Sequence, residues 1–325
     1  MMNLQQTRIV DQVLTNHVRG YTNAQYVGGF LFPRVEVSAR GGQVIEFGVE
    51  AFRRYSARRA PGAHVSQIDF GYEGKPYKLV QDALDARVPR EHMQDAQTVP
   101  GLDLGMRATN VVMKALTLAL EIEQAEIATS AANFDDAHKL VPDEAGKWNN
   151  PDSDPVKQVE DGIEAVRAST GLYPNTMVLG PKPYKAFKNH PKVLERFKGI
   201  SADAVTPGKI AALLDIPRIQ IGGAVWAPDE AGSGPPTFTD VWGAHVVMGY
   251  VPSAPEGREE PSFGYTYALD GNPFVEQPYW AHERRSWLYG VTYERAPQLT
   301  GMAAGYLIRE ATGDFTPEET EGGAP

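Results

Sequence analysis

One stretch decides the architecture: residues 100–133 read PGLDLGMRATNVVMKALTLALEIEQAEIATSAAN. Its apolar side chains recur at helical spacing, which predicts a helix over residues 102–133 with a buried stripe of Val111, Ala115, Leu118, Ile122 and Ala125. At 1.5 Å per residue, about 32 residues span roughly 48 Å, which exceeds the usual globular helix. The stretch therefore indicates a structural spine, and Glu121, Glu123 and Glu126 are expected on its solvated face.

Upstream of the helix, the pattern predicts extensions that lack a core of their own. Residues 21–40 contain glycine and proline without a clear period and read as an extended arm. Residues 42–80 read as a long hairpin with strands at 43–50 and 65–72. Its tip, residues 51–62, carries four arginines, namely Arg53, Arg54, Arg58 and Arg59. This basic tip is either a solubilising loop or a projection that docks on an acidic neighbour.

Downstream, two segments of different character follow. Residues 181–251 alternate short helices and strands and predict a compact α/β unit. Residues 261–295 are rich in aromatic side chains, and Phe263, Tyr265, Tyr267 and Leu269 alternate strictly with small residues, which predicts a strand. The last residues are acidic and are expected to form a tail without regular structure. The fold class predicted from this order of elements is α+β.

Composition excludes several functional classes. The chain has 325 residues, no cysteine and a formal net charge of −10. The missing cysteines exclude a disulfide framework, a thiolate metal site and a cysteine nucleophile. The acidic balance argues against a protein that grips nucleic acid through phosphate contacts. No stretch approaches the roughly 20 apolar residues that a membrane helix needs, so no membrane association is expected.

The search for catalytic motifs finds only partial matches. The segment His282-Glu283-Arg284-Arg285-Ser286 holds the first half of a zinc-binding pattern but lacks the second histidine. No phosphate-binding loop or nucleophile elbow occurs. Asp135 and Asp136 beside His138 are expected to be solvated surface, and His92, His190 and His245 to be structural. We therefore predict no catalytic residue, no metal site, no cofactor and no enzymatic activity.

Several phrases resemble one known family. They are YVGGFLFPR at 26–34, RAPG at 59–62, VPRE at 88–91, PGLDL at 100–104, PNT at 174–176, NHP at 189–191 and PSFGYT at 261–266. Together with the order of elements, they resemble the major capsid proteins of tailed bacteriophages, which have the Hong Kong 97-type fold. The resemblance covers about residues 20–310 and rests on packing and turn signatures.

The resemblance implies a division of the chain. The expected parts are an N-terminal arm (1–41), an extended β-hairpin loop (42–82), a first peripheral part with the spine helix (83–180), an axial domain (181–251), a second peripheral part (252–300), a final axial strand (301–310) and an acidic tail (311–325). It also implies contacts between subunits. Their candidates are the four loop arginines, Phe32, Arg34, Arg90 and Glu91.

The function that the resemblance implies is a structural subunit of an icosahedral shell. Pentamers and hexamers of the chain would enclose double-stranded DNA without sequence-specific binding, in a virion assembled in the bacterial cytoplasm. A separate scaffolding protein, a portal and a decoration protein are implied as partners. An encapsulin-like nanocompartment of the same fold is the alternative, and an enzyme with an unrecognised site is a third hypothesis.

One departure from the fold family bears on covalent assembly. Some members cross-link through a loop lysine and a neighbour's asparagine, whereas the tip from residue 52 to 62 has arginines and no lysine. A guanidinium stays charged and cannot replace the lysine amine as a nucleophile. We therefore expect no autocatalytic cross-linking, and an isopeptide-linked ladder in mass spectrometry would contradict this.

Overall fold

The structure, a computed structural model, describes residues 10–45, 58, 74–96, 103–197, 205–227, 237–252 and 262–313. Its helices are α1 (Gln12–Arg19), α2 (Gly28–Leu31), α3 (Arg90–Ala96), α4 (Leu104–Thr129), α5 (Pro155–Thr170), α6 (Pro181–Asn189), α7 (Pro191–Phe197) and α8 (Pro207–Leu214). Short 3-10 turns cover Ala131–Asn133 and Met302–Ala304.

The strands up to the middle of the chain are β1 (Arg34–Val37), β2 (Gly41–Ile45), β3 (Gly74–Lys78), β4 (Val80–Pro89), β5 (Lys139–Leu140), β6 (Thr176–Leu179), β7 (Arg218–Ile221) and β8 (Val225–Trp226). The later strands are β9 (Thr239–Asp240), β10 (Val246–Gly249), β11 (Gly264–Leu269), β12 (Phe274–Val275), β13 (Tyr279–Ala281), β14 (Ser286–Leu299) and β15 (Gly305–Ile308). This mixture of helices and sheets confirms the predicted α+β class.

The spine helix α4 is shorter than the predicted span of 102–133. It begins after Asp103, whose side chain accepts a hydrogen bond from the Met106 amide at 3.0 Å. It ends at Thr129 because Ser130 takes an extended conformation (φ −73°, ψ 115°). The helix has 26 residues, so its length is about 39 Å at 1.5 Å per residue.

The buried stripe of α4 also differs from the predicted one. Val111, expected in the core, is 67% exposed, whereas Val112, Met113 and Leu116 are buried. Apolar residues surround the helix almost completely in its middle turns, so their period alone could not choose the inward face. The buried face includes Glu121, at 2% exposure, so the expectation that this residue is solvated was wrong.

A six-stranded sheet lies against α4 and is organised around the long strand β14. This strand pairs antiparallel with β11, β12, β13 and β4, and β1 joins the far side of β11 in parallel. Val112 and Leu116 of α4 share a core with Val291 and Tyr293 of β14. The sheet takes β1 from the predicted arm and starts β4 at Val80, three residues before the predicted domain start at 83.

The second unit is a five-stranded sheet in the order β5-β15-β10-β6-β7. Its core combines side chains from α5, β6, α6, α8 and β10, among them Val159, Met177, Phe187, Ile210 and Met248. The expected boundary at residue 181 therefore cuts through this unit, because β5, α5 and β6 precede it in sequence and pack into the same core.

The end of the described chain belongs to this second unit as well. Ala311, expected in a tail, is fully buried; its amide donates to Ala244 O at 2.9 Å and its carbonyl accepts from Trp148 N at 2.8 Å. The packed structure thus extends to Gly313, beyond the expected boundary at 311. Residues 314–325 lie outside the described residues.

Candidate functional site

The base of the hairpin is attached to the six-stranded sheet by an ion pair. Strands β2 and β3 pair with each other from Gly41–Lys78 to Ile45–Gly74 and form a separate two-stranded sheet. Just before β2, Arg40 donates two hydrogen bonds to Glu294 of β14, from Nε to Oε2 at 2.6 Å and from Nη2 to Oε1 at 2.9 Å. The guanidinium is 68% exposed and the carboxylate only 5%, so the sheet holds the acid in place for the arginine.

A second arginine, Arg295, is buried next to the hairpin base and joins the strands and the helix around it. Arg295 of β14 is 1% exposed and binds Asp82 of β4 at 2.9 Å and Glu123 of α4 at 2.7 Å. Its Nη2 also donates to the Leu116 carbonyl at 3.2 Å. One buried guanidinium thereby links the strand that follows the hairpin, the central strand and the spine helix.

An aromatic pair completes the hairpin base. The rings of Tyr77 on β3 and Tyr267 on β11 stack with centroids 4.5 Å apart and planes at 10°. The backbone of Leu79 donates to the Arg40 carbonyl at 2.9 Å and closes the hairpin at its base. We call Arg40, Tyr77, Tyr267, Glu294 and Arg295 the hairpin root. It fixes where the loop leaves the sheet.

The arm is seated on the spine helix by Glu121. The carboxylate of this residue accepts hydrogen bonds from Val27 N at 2.8 Å, from Gly28 N at 2.9 Å and from Trp242 Nε1 at 2.7 Å. The first two donors open helix α2 of the arm, and Trp242 belongs to the second unit. A single acid on α4 therefore joins the arm, the spine and the five-stranded unit.

Burial dominates the electrostatics of this junction. It raises the pKa of Glu121 above the usual glutamate value, against the three hydrogen bonds, which lower it. Sequence reasoning missed this residue because Trp242 is 121 positions away and nothing local marks the pairing. An acid inside an otherwise apolar helical run was the only signal, and it also fits a solvated face.

The predicted contact residues of the loop lie mostly outside the described chain. Arg53, Arg54 and Arg59 fall on residues that the structure does not describe. Arg58 is described and is exposed. The expected strand at 65–72 also falls outside the described residues.

The other predicted contact residues divide into buried and exposed ones. The Phe32 side chain is 1% exposed within a single chain and packs 5.3 Å from the Phe263 ring. Its side chain is enclosed by its own subunit, and its contact with a neighbouring subunit stays a prediction. Arg34 binds Glu36 at 2.8 Å and the Asn272 carbonyl at 2.5 Å. Arg90 and Glu91 are exposed where β4 turns into α3.

Two exposed apolar patches were not predicted. On β8 and directly before β9, Val225 is 45%, Trp226 36% and Phe238 64% exposed. On the six-stranded sheet, Val80, Leu84 and Trp287 are 61%, 46% and 37% exposed along one face, and Tyr279, paired with Leu288, is 49% exposed on the opposite face. Apolar patches of this kind are typical of surfaces that meet another molecule. The aromatic density of residues 261–295 was the only sequence signal for the second patch.

The described residues offer no metal centre. Across residues 10–313, excluding the gaps in the description, no three His, Asp or Glu side chains could hold a metal ion together. Ser153 Oγ and His190 Nε2 lie 3.2 Å apart, and each also contacts the Asn150 carbonyl, at 2.9 and 3.0 Å. Both residues are buried, which fits the predicted structural role of His190. His138, expected on the surface, is buried beside Asp135 at 2.7 Å.

Membrane insertion through a helix finds no support in the part of the chain that is described. None of its helices combines the length and the apolar character needed to cross a bilayer.

Comparison with known proteins gives consistent results. The family model described as phage major capsid protein E matches residues 123–228. The major capsid protein of Burkholderia phage BcepMu is 35% identical over 317 residues, which cover 96% of this chain and all of that protein. The crystal structure of a phage-related protein from Bordetella bronchiseptica RB50 is 46% identical, with a TM-score of 0.80 over 94% of this chain and 98% of that one.

A more distant likeness concerns the fold alone. An encapsulin from Synechococcus elongatus superimposes with a TM-score of 0.56 at 13% identity, covering 91% of this chain and 90% of that one. At 13% identity the match shows a shared fold but not a shared function, since one fold hosts many functions.

Proposed function

The chain belongs to the family of phage major capsid proteins, and we propose that its copies assemble as pentamers and hexamers into a closed icosahedral shell around double-stranded DNA. It is a structural subunit of the virion capsid and not an enzyme, and it has the Hong Kong 97-type α+β fold. Self-association follows from family membership. The arrangement of contacts is the proposal.

The hairpin root carries the proposal. Strands β2 and β3 form a ladder without a third strand among the described residues, while its base is bound to the sheet by Arg40 and Glu294. A two-stranded ladder alone is marginally stable in water. A hairpin that is fixed at its base and whose described strands have no third strand beside them is suited to lie on a neighbouring subunit. The arginines at its tip, Arg58 among them, would meet acidic side chains there.

The five-stranded unit supplies the second contact. We infer that it is the axial domain and that Val225, Trp226 and Phe238 meet their copies around the five-fold and six-fold axes. The support is their exposure in the single chain, since hydrophobic patches on soluble subunits usually mark an interface. Arg90 and Glu91, both exposed, remain candidates for contacts at the edge of the six-stranded sheet.

The charge of the chain fits containment of DNA rather than tight binding. At a net charge of −10, a shell repels the duplex on average, and packaged DNA can slide. We further propose that assembly takes place in the host cytoplasm with a separate scaffolding protein, a portal and a decoration protein.

Electron microscopy of the purified chain, alone and co-expressed with neighbouring phage genes, tests the assembly. The wild type is expected to give closed particles. A variant with all four loop arginines changed to glutamate (R53E, R54E, R58E, R59E) should stop at free subunits or capsomers. Lys114→Glu, an exposed cation on α4, is the matched control and should assemble. A chain that stays monomeric or dimeric under every condition would overturn the proposal.

The contents of the particles separate the two shell functions. Particles isolated from infected cells should contain double-stranded DNA, measurable by nuclease protection. A single co-purifying enzyme in place of DNA would instead favour the encapsulin-like role, for which the present support is fold similarity alone.

A further inference from the structure

The outer edge of strand β4 has no strand beside it among the described residues. β4 pairs with β14 along its whole length, from Val80 to Pro89, and with no other described strand. No backbone hydrogen bond from another part of the described chain reaches its other side. An edge of this kind presents a row of unpaired N–H and C=O groups, and it is a template for a further extended chain.

The apolar side chains along this edge are exposed as well. Leu84 lies directly opposite Val291, which is fully buried in a core shared with α4, so the Leu84 side chain is on the helix side of the sheet. Leu84 is nevertheless 46% exposed, and Val80 on the same side is 61% exposed. An occupant of the edge must therefore supply a strand with apolar side chains on this face.

The length of the edge selects the occupant. β4 has 10 residues, and among the described strands only β14, with 14 residues, is as long. β14 already pairs on both sides, with β4 on one side and with β11, β12 and β13 on the other. The remaining described strands have six residues or fewer. Of the strands that the structure describes, therefore, only β4 of a second copy can cover the whole edge.

The sequence of β4 is complementary to itself in one antiparallel register. A two-fold axis through Leu84 sets this residue opposite its own copy and pairs the two strands over residues 80–88. The same register sets the exposed Val80 opposite Val88 of the partner strand, so both exposed apolar side chains of the edge meet apolar ones. Aliphatic pairs directly across a ladder stabilise it.

The charges of the strand favour the same register. With the axis at Leu84, no two like charges lie directly opposite, because the charged residues face small or neutral ones: Asp82 faces Ala86, Asp85 faces Ala83 and Arg87 faces Gln81. An axis at Asp85 would set two carboxylates against each other, which destabilises a ladder. An axis at Ala86 would leave Val80 uncovered and would bring Pro89, which has no N–H, into the ladder.

We propose that β4 pairs antiparallel with β4 of a second subunit across a two-fold axis through Leu84. The two six-stranded sheets then form one continuous sheet, with both copies of α4 on the same face. Subunits around a five-fold or six-fold axis meet their neighbours through two different surfaces, whereas a two-fold contact uses the same surface twice. The pairing therefore joins neighbouring capsomers. It rests on the proposed shell for that setting and is separate from the contacts of the hairpin and the five-stranded unit.

Because the chain has no cysteine, Leu84→Cys reports the pairing directly. Across the axis its two Cα atoms are about 4.5–5.5 Å apart, which is within the range of a disulfide. Mild oxidation of assembled particles should therefore give a disulfide-linked dimer on a non-reducing gel. Val80→Cys is the matched control, since this side chain is the more exposed of the two. It lies four residues from the axis, so it is about 27 Å from its copy at 3.4 Å per residue and should not link.

A mixed assembly tests the register. Gln81→Cys and Arg87→Cys chains each place the thiol three residues from the axis, about 20 Å from its own copy, so neither should link alone. The two residues are opposite each other in the proposed register, so particles assembled from both chains should give a heterodimer, identified by a tag on one chain. Homodimers of either variant, or no heterodimer, would overturn the register.

The outcome for the pairing is distinguishable from the outcome for the shell. Particles in which Leu84→Cys links no faster than Val80→Cys would overturn the pairing and leave the proposed shell intact. If the wild type forms no particles, the proposed shell fails, and oxidation of the concentrated unassembled chain decides the pairing. A dimer of Leu84→Cys then supports the pairing, and its absence overturns it.

Charge reversal at the axis gives a second test without thiols. Leu84→Lys and Leu84→Glu each place two like charges directly opposite, so each alone should lower the yield of closed particles roughly tenfold. An equimolar mixture of the two variants should recover particles, because opposite charges then meet across the axis. Circular dichroism of the unassembled variants checks that both fold. Wild-type yields from either variant alone, or no recovery in the mixture, would overturn the proposal.

Discussion

Arg40 and Glu294 form a two-point ion pair in which an exposed guanidinium is held by a buried carboxylate across 254 positions of sequence. The pair connects the base of an extension to the central strand of the larger sheet. Such bidentate contacts fix direction as well as distance. The direction in which the hairpin leaves the subunit is therefore set by a side-chain contact, and errors in it would be repeated at every contact of a shell.

The first prediction follows from this geometry. Arg40→Gln removes the two hydrogen bonds from the guanidinium to Glu294 and should leave the fold intact. Unassembled subunits should therefore keep their secondary structure, as measured by circular dichroism. Assembly should suffer more than folding, with a reduced fraction of closed particles in electron micrographs. Arg167→Gln, which breaks a pair with Glu164 on the exposed face of α5, is the control and should assemble normally. Normal shells from Arg40→Gln would show that the root does not set the direction of the hairpin.

Glu121→Gln probes the junction of the arm, the spine helix and the five-stranded unit. The amide nitrogen would face a backbone donor in place of a carboxylate oxygen, so we expect a loss of about 1–3 kcal/mol in the free energy of unfolding. Glu126→Gln, exposed on the same helix, should change it by less than about 0.5 kcal/mol. Urea unfolding of the unassembled chain measures both. Equal effects from the two variants would contradict the role of Glu121.

The same variant gives a pH dependence with a definite sign. Burial raises the pKa of Glu121 in the folded chain, so protonation favours the folded state. The contribution is complete below the ordinary glutamate pKa and is lost as pH rises through the raised value. Wild type should therefore gain stability relative to Glu121→Gln as the pH falls from neutral to about 4.5. A stability difference that stays constant between pH 7.5 and 5 would count against the raised pKa.

Two adjacent glycines in the arm should respond oppositely to alanine. A Cβ at Gly28 would lie 2.2 Å from Gln124 Oε1 and 3.0 Å from Gln124 Cβ, whereas one at Gly29 meets nothing within 4 Å. Gly28→Ala should displace Gln124 from its bond to Thr266 and cost about 1–3 kcal/mol. Gly29→Ala in the exposed turn should be neutral or stabilise by about 0.5–1 kcal/mol. Thermal unfolding of the two variants measures their stability. A similar loss of stability in both would contradict the close packing at Gly28.

Weak interaction with DNA is the last expectation. The unassembled chain should bind duplex DNA more weakly than the roughly 10⁻⁴–10⁻⁶ M typical of non-specific binders, with little dependence on salt. Filter binding between 50 and 200 mM salt measures it. Micromolar binding with a steep salt dependence would mean that a basic surface dominates despite the net charge of −10.

Sequence reasoning recovered the order of elements better than their limits. The spine helix and the strand at Gly264–Leu269 follow from periodicity, which is a local signal. The expected boundary at residue 181 does not coincide with the limit of the five-stranded sheet, because sheet membership depends on pairing between distant strands. Lys139 and Leu140 pair with β15 across more than 160 residues, and no local pattern encodes that choice.

The residues that attach the arm and the hairpin to the rest of the subunit could not be predicted from the sequence either. Arg40, Glu121, Glu294 and Arg295 are charged residues whose partners lie far along the chain. A charge is expected at the surface unless its partner is known. Phe32 is the reverse case, because this predicted contact residue has its side chain buried against Phe263 of its own chain.

The position of β15 has a consequence for the life of the subunit before assembly. This strand lies between β5 and β10, so the five-stranded sheet lacks an interior member until residue 308 has been synthesised. A chain that stops before β15 would leave β5 without its partner strand and open one edge of β10, and it could not complete the unit. Translation thus orders the events: the five-stranded unit is completed only after residue 308 has left the ribosome.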